Sequence, residues 1–258
     1  MVDAALRNAD APWDTFSSQD YWRHNYEAVQ PEDREIIGRV SNFFIRAFSG
    51  RTRVQHAIDV GSGANLYPAL LMLPWTDQIL LSDFSASNVG WLRRQVLDDD
   101  SGWDWQPFWH EMDKREGYNQ IGDPRKQLGE ACLAEQGLAG VEKRSVFDLP
   151  RAQWQLGTMF FVAESITQER TEFHAALRGF VGALTPGAPF AATFMAESTG
   201  YPVAGIPFPA LPVTPDDIID HFSRLGTSDL DVYLNQTQHR VRPGYTGMIV
   251  ATGFAGGC

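Results

Sequence analysis

The stretch Ile58-Asp59-Val60-Gly61-Ser62-Gly63-Ala64-Asn65 constrains the fold of this chain more than any other. Val54 to Val60 reads as a buried strand with an acidic residue near its end. It runs straight into two glycines before a helical pattern begins. A glycine at such a turn leaves the backbone open to a ligand, because a Cβ would block the approach. A strand, a tight turn and a helix in this order belong to sheets whose strands run parallel and whose ligands lie beyond the carboxyl ends of the strands.

The rest of the chain repeats that alternation. An apolar stripe at Ile36, Val40, Phe43, Phe44, Ala47 and Phe48 predicts a helix from Pro31, ended by Gly50. Pro31 suits the first helical position, and Glu32, Asp33 and Glu35 suit the positive end of the dipole. Further strands are predicted at Gln78–Asp83, Glu142–Phe147, Thr158–Ala163 and Phe190–Met195. Helices are predicted at Leu66–Leu73, Ser87–Leu97, Pro124–Gln136, Glu169–Leu184 and Pro215–Leu225. Leu230–Leu234 and Gly247–Thr252 are expected to close the chain as an antiparallel pair, and the Pro- and Gly-rich stretch 200–212 is expected to be a loop. The predicted class is α/β: one domain over residues 1–258, with a mostly parallel sheet covered on both faces. Residues 51–258 form its core, and the aromatic-rich segment before residue 50 is free to cap it.

Charge and cysteine usage narrow the partners. The net charge is -11, so a nucleic-acid partner is not expected. No apolar run is long enough for a membrane span. The first residues lack the basic-then-apolar order of a signal peptide, and the two cysteines form neither a disulfide framework nor a zinc spacing. A cytoplasmic protein with reduced thiols, and without a metal, is expected.

The chemistry is read from two positions together. Asp83 closes the second strand, 22 residues after Gly61, where a carboxylate can accept from the ribose hydroxyls of a nucleoside. A dinucleotide fingerprint needs a third glycine, and position 66 is Leu. The turn therefore fits a nucleoside cofactor without phosphates better than a pyrophosphate. A nucleotide-dependent oxidoreductase remains the rival reading, as does a non-catalytic binding protein on the same fold.

Four motifs in order resemble one family. Asp59 to Tyr67 and Ser82-Asp83-Phe84-Ser85-Ala86-Ser87-Asn88 look like the two cofactor motifs of the nicotinamide, phenylethanolamine and thioether methyltransferases. Asp20 to Tyr26 is similar to that family's N-terminal tyrosine motif, and Trp103-Asp104-Trp105-Gln106-Pro107 to its F-D-W-x-P segment. The resemblance implies a Rossmann-like class I methyltransferase with a seven-stranded sheet, an N-terminal helical lid and S-adenosylmethionine as cofactor, released as S-adenosylhomocysteine. It implies that Tyr21 and Tyr26 line the methionine end and that Gly61, Ser62 and Gly63 form the turn beneath the cofactor. Tyr67 would add a hydroxyl, Asp83 would hold the ribose, Phe84 would pack on adenine, and Asn88 would reach the carboxylate. Ser145 and Val146 fall at the adenine edge, where the family has an acidic residue and valine, and Ala163 would face the methionine.

The acceptor side is read from residue types. Aromatics favour a flat substrate, so Trp22, Trp105, Trp109, Tyr201 and His239 are candidates for binding it, with Trp13 and Phe16 able to overlie the site. Tyr21, Glu164 and Glu197 are candidates for positioning the acceptor or taking its proton. The expected reaction is methyl transfer to a nitrogen of an amine or aromatic heterocycle. Methylation of an indole carbon in a natural-product pathway is the alternative, motivated by the tryptophan-rich segment.

Overall fold

The computed structural model describes residues 5–98, 102–133, 137–237 and 242–257. Its centre is a seven-stranded sheet built from β1 (Val54–Val60), β2 (Thr76–Asp83), β3 (Gly140–Lys143), β4 (Leu156–Phe160), β5 (Pro189–Ala196), β8 (Ser228–Gln236) and β9 (Gly247–Phe254). The order across the sheet is β3-β2-β1-β4-β5-β9-β8. The first five strands in that row pair in parallel, and β9 enters antiparallel between β5 and β8. A short hairpin, β6 (Gly200–Val203) with β7 (Ile206–Pro209), stands outside the sheet.

Side chains alternate between two cores, as the pleat requires. Ala57, Ile79 and Leu81 face a core shared with α2 (Pro31–Ala47), α3 (Tyr67–Met72) and α4 (Ala86–Leu97). Ile58, Val60 and Leu80 face the opposite one, packed by α7 (Arg170–Ala183) and α8 (Pro215–Arg224). The helix start at Pro31 is as expected. Its first turn is closed by a capping box in which the Asp33 carboxylate accepts the Gln30 backbone N–H at 3.1 Å. Ile36, Val40 and Phe44 on its apolar stripe are fully buried.

Four predicted elements need correction. The third strand lies earlier than Glu142–Phe147, because the Ser145 hydroxyl accepts from Phe147 N–H at 3.2 Å and folds Val146–Asp148 into a 3-10 turn. The fourth strand stops at Phe160, because Phe161 turns to φ 59° and cannot continue it. The 200–212 stretch contains the hairpin. A short helix not predicted, α5 (Gln106–His110), lies in the Trp103–Trp109 segment. The helix begun at Pro124, α6, runs to Ala131, and residues 134–136 lie outside the described residues.

The N-terminal segment crosses the carboxyl end of the sheet before α1 (Ser18–Tyr26). It is stitched there by hydrogen bonds. Ser85 Oγ donates to Trp13 O at 3.0 Å, Ser87 Oγ to Phe16 O at 2.8 Å, and Ser18 Oγ to Asn88 Oδ1 at 2.7 Å. Asn8 N–H donates to Glu172 Oε2 at 2.9 Å, which ties the far end of the segment to α7.

Candidate active site

Strand order reverses between β2 and β4 on either side of β1, and the loops leaving β1 and β4 there part to form a cleft. It encloses about 760 Å³ of atom-free space, its open mouth included. Its floor is the glycine turn. Gly61 and Gly63 have φ of 67° and 56°, in the left-handed region. A Cβ on Gly61 would stand 2.5 Å from a methyl of Val162, so only glycine fits at the junction of the two loops. Ser62 pins the turn to the sheet, its N–H donating to Ser82 O at 2.9 Å and its hydroxyl to Asp59 O at 3.1 Å.

Asp83 lines the cleft and organises it. One carboxylate oxygen accepts Gly63 N–H at 2.9 Å; the other accepts Ser85 N–H at 2.7 Å and the Asn88 side-chain amide at 3.2 Å. Burial pushes its pKa up, and these three bonds act against that rise. A carboxylate has roughly four acceptor positions, so it keeps capacity toward the cleft. Asn88 also lines the cleft, with its amide already spanning Ser18 and Asp83, so it first of all locks the N-terminal segment to β2. Asp59, beneath the turn, accepts from Thr158 Oγ1 at 2.7 Å, while its other oxygen has no partner among the described residues. Desolvation raises its carboxyl to about 7.

The walls are aromatic. Tyr21, Tyr26, Phe84, Phe147 and Tyr201 line the cleft together with Trp13 and Phe16 from the N-terminal turns. Phe84 and Phe147 stand at its mouth with 41% and 38% of their surfaces exposed, which is unusual for phenylalanine and leaves two ring faces available to a planar ligand. Ser145 and Val146 lie between them in the chain order of the rim, but the Ser145 hydroxyl is already engaged by Phe147 N–H.

Among the residues singled out from sequence, the structure brings Tyr21, Tyr26, Gly61, Ser62, Gly63, Asp83, Phe84, Asn88, Ser145, Val146 and Tyr201 to this cleft. It does not bring the others. Tyr67 is fully buried and stacks on Phe108, with ring centroids 5.3 Å apart. Trp22 lies in the first core, Trp105 packs against Tyr26 and Phe108, and Trp109 against Tyr118. All three tryptophans belong to the first core and do not line this cleft. Ala163 belongs to the second core. Glu197 sits half-buried at φ 60° beyond β5, away from the cleft. Glu164 is fully buried: one oxygen accepts from Met195 N–H and Ser165 Oγ, both at 3.0 Å, and burial raises its pKa. His239 lies outside the described residues.

Arg242 is the main residue that local patterns miss. It is 6% exposed and reaches in from the β8–β9 connection. It donates to Tyr21 Oη at 2.8 Å and to Ser165 Oγ at 3.0 Å, and lies 4.2 Å above the Tyr201 ring. Through Ser165 it is linked to Glu164, so the buried cation and anion balance across one hydroxyl. Its contact with Tyr21 spans 221 positions, a separation no periodicity reveals.

Residues 5–252 match the NNMT/PNMT/TEMT family. The chain belongs to that family. Its fold is that of the class I methyltransferases, and several solved structures share it at low identity. The N-methyltransferase NodS from Bradyrhizobium japonicum WM9, in complex with S-adenosyl-L-homocysteine, is 12% identical with a TM-score of 0.53, covering 92% of both chains. The magnesium protoporphyrin IX methyltransferase of Synechocystis PCC 6803, with bound SAM, is 11% identical with a TM-score of 0.55, covering 93% of this chain and 92% of that one. The CurJ carbon methyltransferase is 9% identical with a TM-score of 0.54, covering 93% of this chain and 59% of that one. No described helix is long and apolar enough to cross a membrane.

Proposed function

We propose that the protein transfers a methyl group from S-adenosylmethionine to a nitrogen of a small amine or aromatic heterocycle. The observation that carries this reading is the pairing of the Gly61–Gly63 cradle with Asp83 at the switch point of the sheet. Asp83 would accept from the ribose, which sends the base outward to Phe84 and Phe147 and the methionine inward to Tyr21 and Tyr26. The family's acidic contact to adenine is missing at Ser145, so base recognition here rests on stacking. A sulfonium is attracted to aromatic faces by about 0.5–2 kcal/mol, and the tyrosine rings supply such faces. Family membership, with SAM or its demethylated product bound in solved structures of the same fold, supports the cofactor.

The cofactor supplies an already activated methyl. The chain's own work is to orient the acceptor and to exclude water. The acceptor nitrogen's lone pair forms a bond to the methyl carbon as the carbon–sulfur bond breaks, leaving its electron pair on sulfur; an amine acceptor then releases a proton. The segment before α2 would serve as the cover, since Trp13, Phe16 and Tyr21 lie on the cleft and Arg242 holds Tyr21 in place. The indole reading loses its motive, because Trp105 and Trp109 are core residues. Calorimetric titration with S-adenosylhomocysteine and with NAD tests the cofactor: binding of the first is expected, and binding of NAD alone would refute the reading.

A further inference from the structure

A groove runs beside the cleft, between α1 and the β6–β7 hairpin. Tyr21 and Tyr201 line both spaces, so these two rings, with centroids 6.2 Å apart, form the partition. Pro202, Val203 and Pro243 give the groove apolar walls. Arg242 lines the groove and not the cleft. The groups that act on its charge are the phenols of Tyr21, Tyr201 and Tyr26 and the Glu164 carboxyl. Its hydrogen bonds among the described residues go to two hydroxyls, Tyr21 Oη and Ser165 Oγ, and it takes part in none of the described ion pairs. Glu164 reaches it only across Ser165. Burial raises the pKa of that carboxyl, with Met195 N–H, Arg242 and Ser165 acting against the rise. Besides the two tyrosines, the other ionisable groups on the groove are His24 and Asp20. The Asp20 carboxylate is exposed and already engaged, by Arg23 at 3.2 Å and Ser17 Oγ at 2.6 Å.

A guanidinium is always charged and carries five N–H donors in a planar fork. Two hydroxyl contacts leave part of that fork unused. A buried cation is costly unless an anion meets it directly, and the strongest match is a carboxylate that accepts two parallel N–H bonds. The guanidinium is braced for such a partner, by Tyr201 at 4.2 Å and by the Tyr21 hydroxyl at 2.8 Å. An ammonium entering the same groove would meet a like charge that the fold holds in place. The proline and valine surfaces suit the apolar body that carries the anion.

We infer that Arg242 selects the methyl acceptor by its charge, and that the acceptor is a nitrogen heterocycle bearing a carboxylate. The carboxylate docks on Arg242 in the groove, and the ring nitrogen faces the cleft at the Tyr21–Tyr201 partition. The inference rests on the methyltransferase reading and narrows its acceptor from any small nitrogen compound to an anionic one. A pyridine-type nitrogen has no proton to release. Its lone pair forms the bond to the methyl carbon, the carbon–sulfur pair stays on sulfur, and the product is a zwitterion.

The test uses full-length protein saturated with S-adenosylhomocysteine. Pyridylacetate, pyridylacetamide and pyridylethylamine, which are close in size, are titrated in turn by calorimetry. The acid is expected to bind about tenfold or more tighter than the amide, the effect of one charge-assisted pair, and the amine more weakly than either. Arg242→Gln is expected to erase the preference for acid over amide. Arg242→Lys leaves Glu164 a cation and so protects the fold; it is expected to cut the preference several-fold, because lysine lacks the paired fork. Tyr21→Phe removes a hydroxyl from Arg242 but not its charge, and is expected to keep the preference. That separates recognition by Arg242 from its hold on Tyr21. Equal binding of acid and amide, tighter binding of the amine, or a preference that Arg242→Lys leaves unchanged overturns the inference. So does a loss in Tyr21→Phe as large as that in Arg242→Gln. A fall in S-adenosylhomocysteine affinity in Arg242→Lys with an unchanged acid-to-amide ratio would assign the guanidinium to the cofactor's own carboxylate, and also overturn it. Failure of S-adenosylhomocysteine to bind the unaltered protein would instead refute the cofactor reading, and this inference with it.

Discussion

Replacing Asp83 with Asn probes the cleft at the group proposed to hold the ribose. The native carboxylate accepts from Gly63 N–H on one oxygen and from Ser85 N–H and the Asn88 amide on the other. Asparagine keeps one oxygen and turns the other position into a donor. That donor must face either Gly63 or the Ser85–Asn88 pair, so at least one internal bond is lost whichever way the amide settles. On the ligand side a ribose hydroxyl loses an ionised acceptor, worth about 1.5–3 kcal/mol. S-adenosylhomocysteine affinity is therefore expected to fall by about 10- to 150-fold. The fold should suffer less, because the substitution also removes a buried charge whose desolvation raises its pKa. The assay is calorimetric titration, paired with a thermal melt of the unliganded variant. Wild-type affinity would refute the ribose assignment. A melt that collapses while the remaining folded protein binds normally would show that Asp83 serves only the turn.

Gly61→Ala should destabilise the protein by about 1–3 kcal/mol, since the new Cβ meets Val162 at 2.5 Å and φ is 67°; a chemical melt within error of wild type would contradict this. Asp59→Asn should stabilise more at high pH than at low pH. The raised carboxyl binds a proton more readily folded than unfolded, so wild-type stability falls as pH rises from 3.8 toward about 7. The variant's advantage should grow by about 2–3 kcal/mol between about pH 5 and about pH 8, read from denaturant melts; a pH-independent difference would reject the buried-charge account. Deleting residues 1–16 should abolish turnover while circular dichroism retains the sheet, because Trp13 and Phe16 line the cleft whereas Trp22 and Tyr26 belong to the core. Full activity of the truncated chain would remove the cover from the mechanism.

The glycine turn and Asp83 at the cleft, the proposed cofactor side, were legible in the sequence because they are neighbours in the chain or across one strand pairing. Gly61 and Gly63 lie on one turn, and Asp83 ends the next strand, so their positions follow from local pattern and one parallel pairing. The aromatic and charged groups around the cleft are assembled from distant pieces. Arg242 meets Tyr21 across 221 positions, and Tyr245 lines the same space as Glu32 and Asp33. Neither has a local signal. The tryptophans misled for a physical reason: a large aromatic beside a presumed site is as useful to the core as to a ligand, and Trp105 is fully buried. The third strand was misplaced by a few residues because Val146 and Phe147 are apolar, while the Ser145 side chain had already turned the backbone out of the sheet.

The most direct measurement is transfer itself. The protein would be incubated with methyl-labelled S-adenosylmethionine and a panel of primary and secondary arylalkyl amines, pyridines and indoles, and the products resolved by mass spectrometry and NMR. The account predicts label on nitrogen, with S-adenosylhomocysteine formed in equal amount. Label on an indole carbon, or cofactor binding without transfer to any nitrogen compound in the panel, would contradict it.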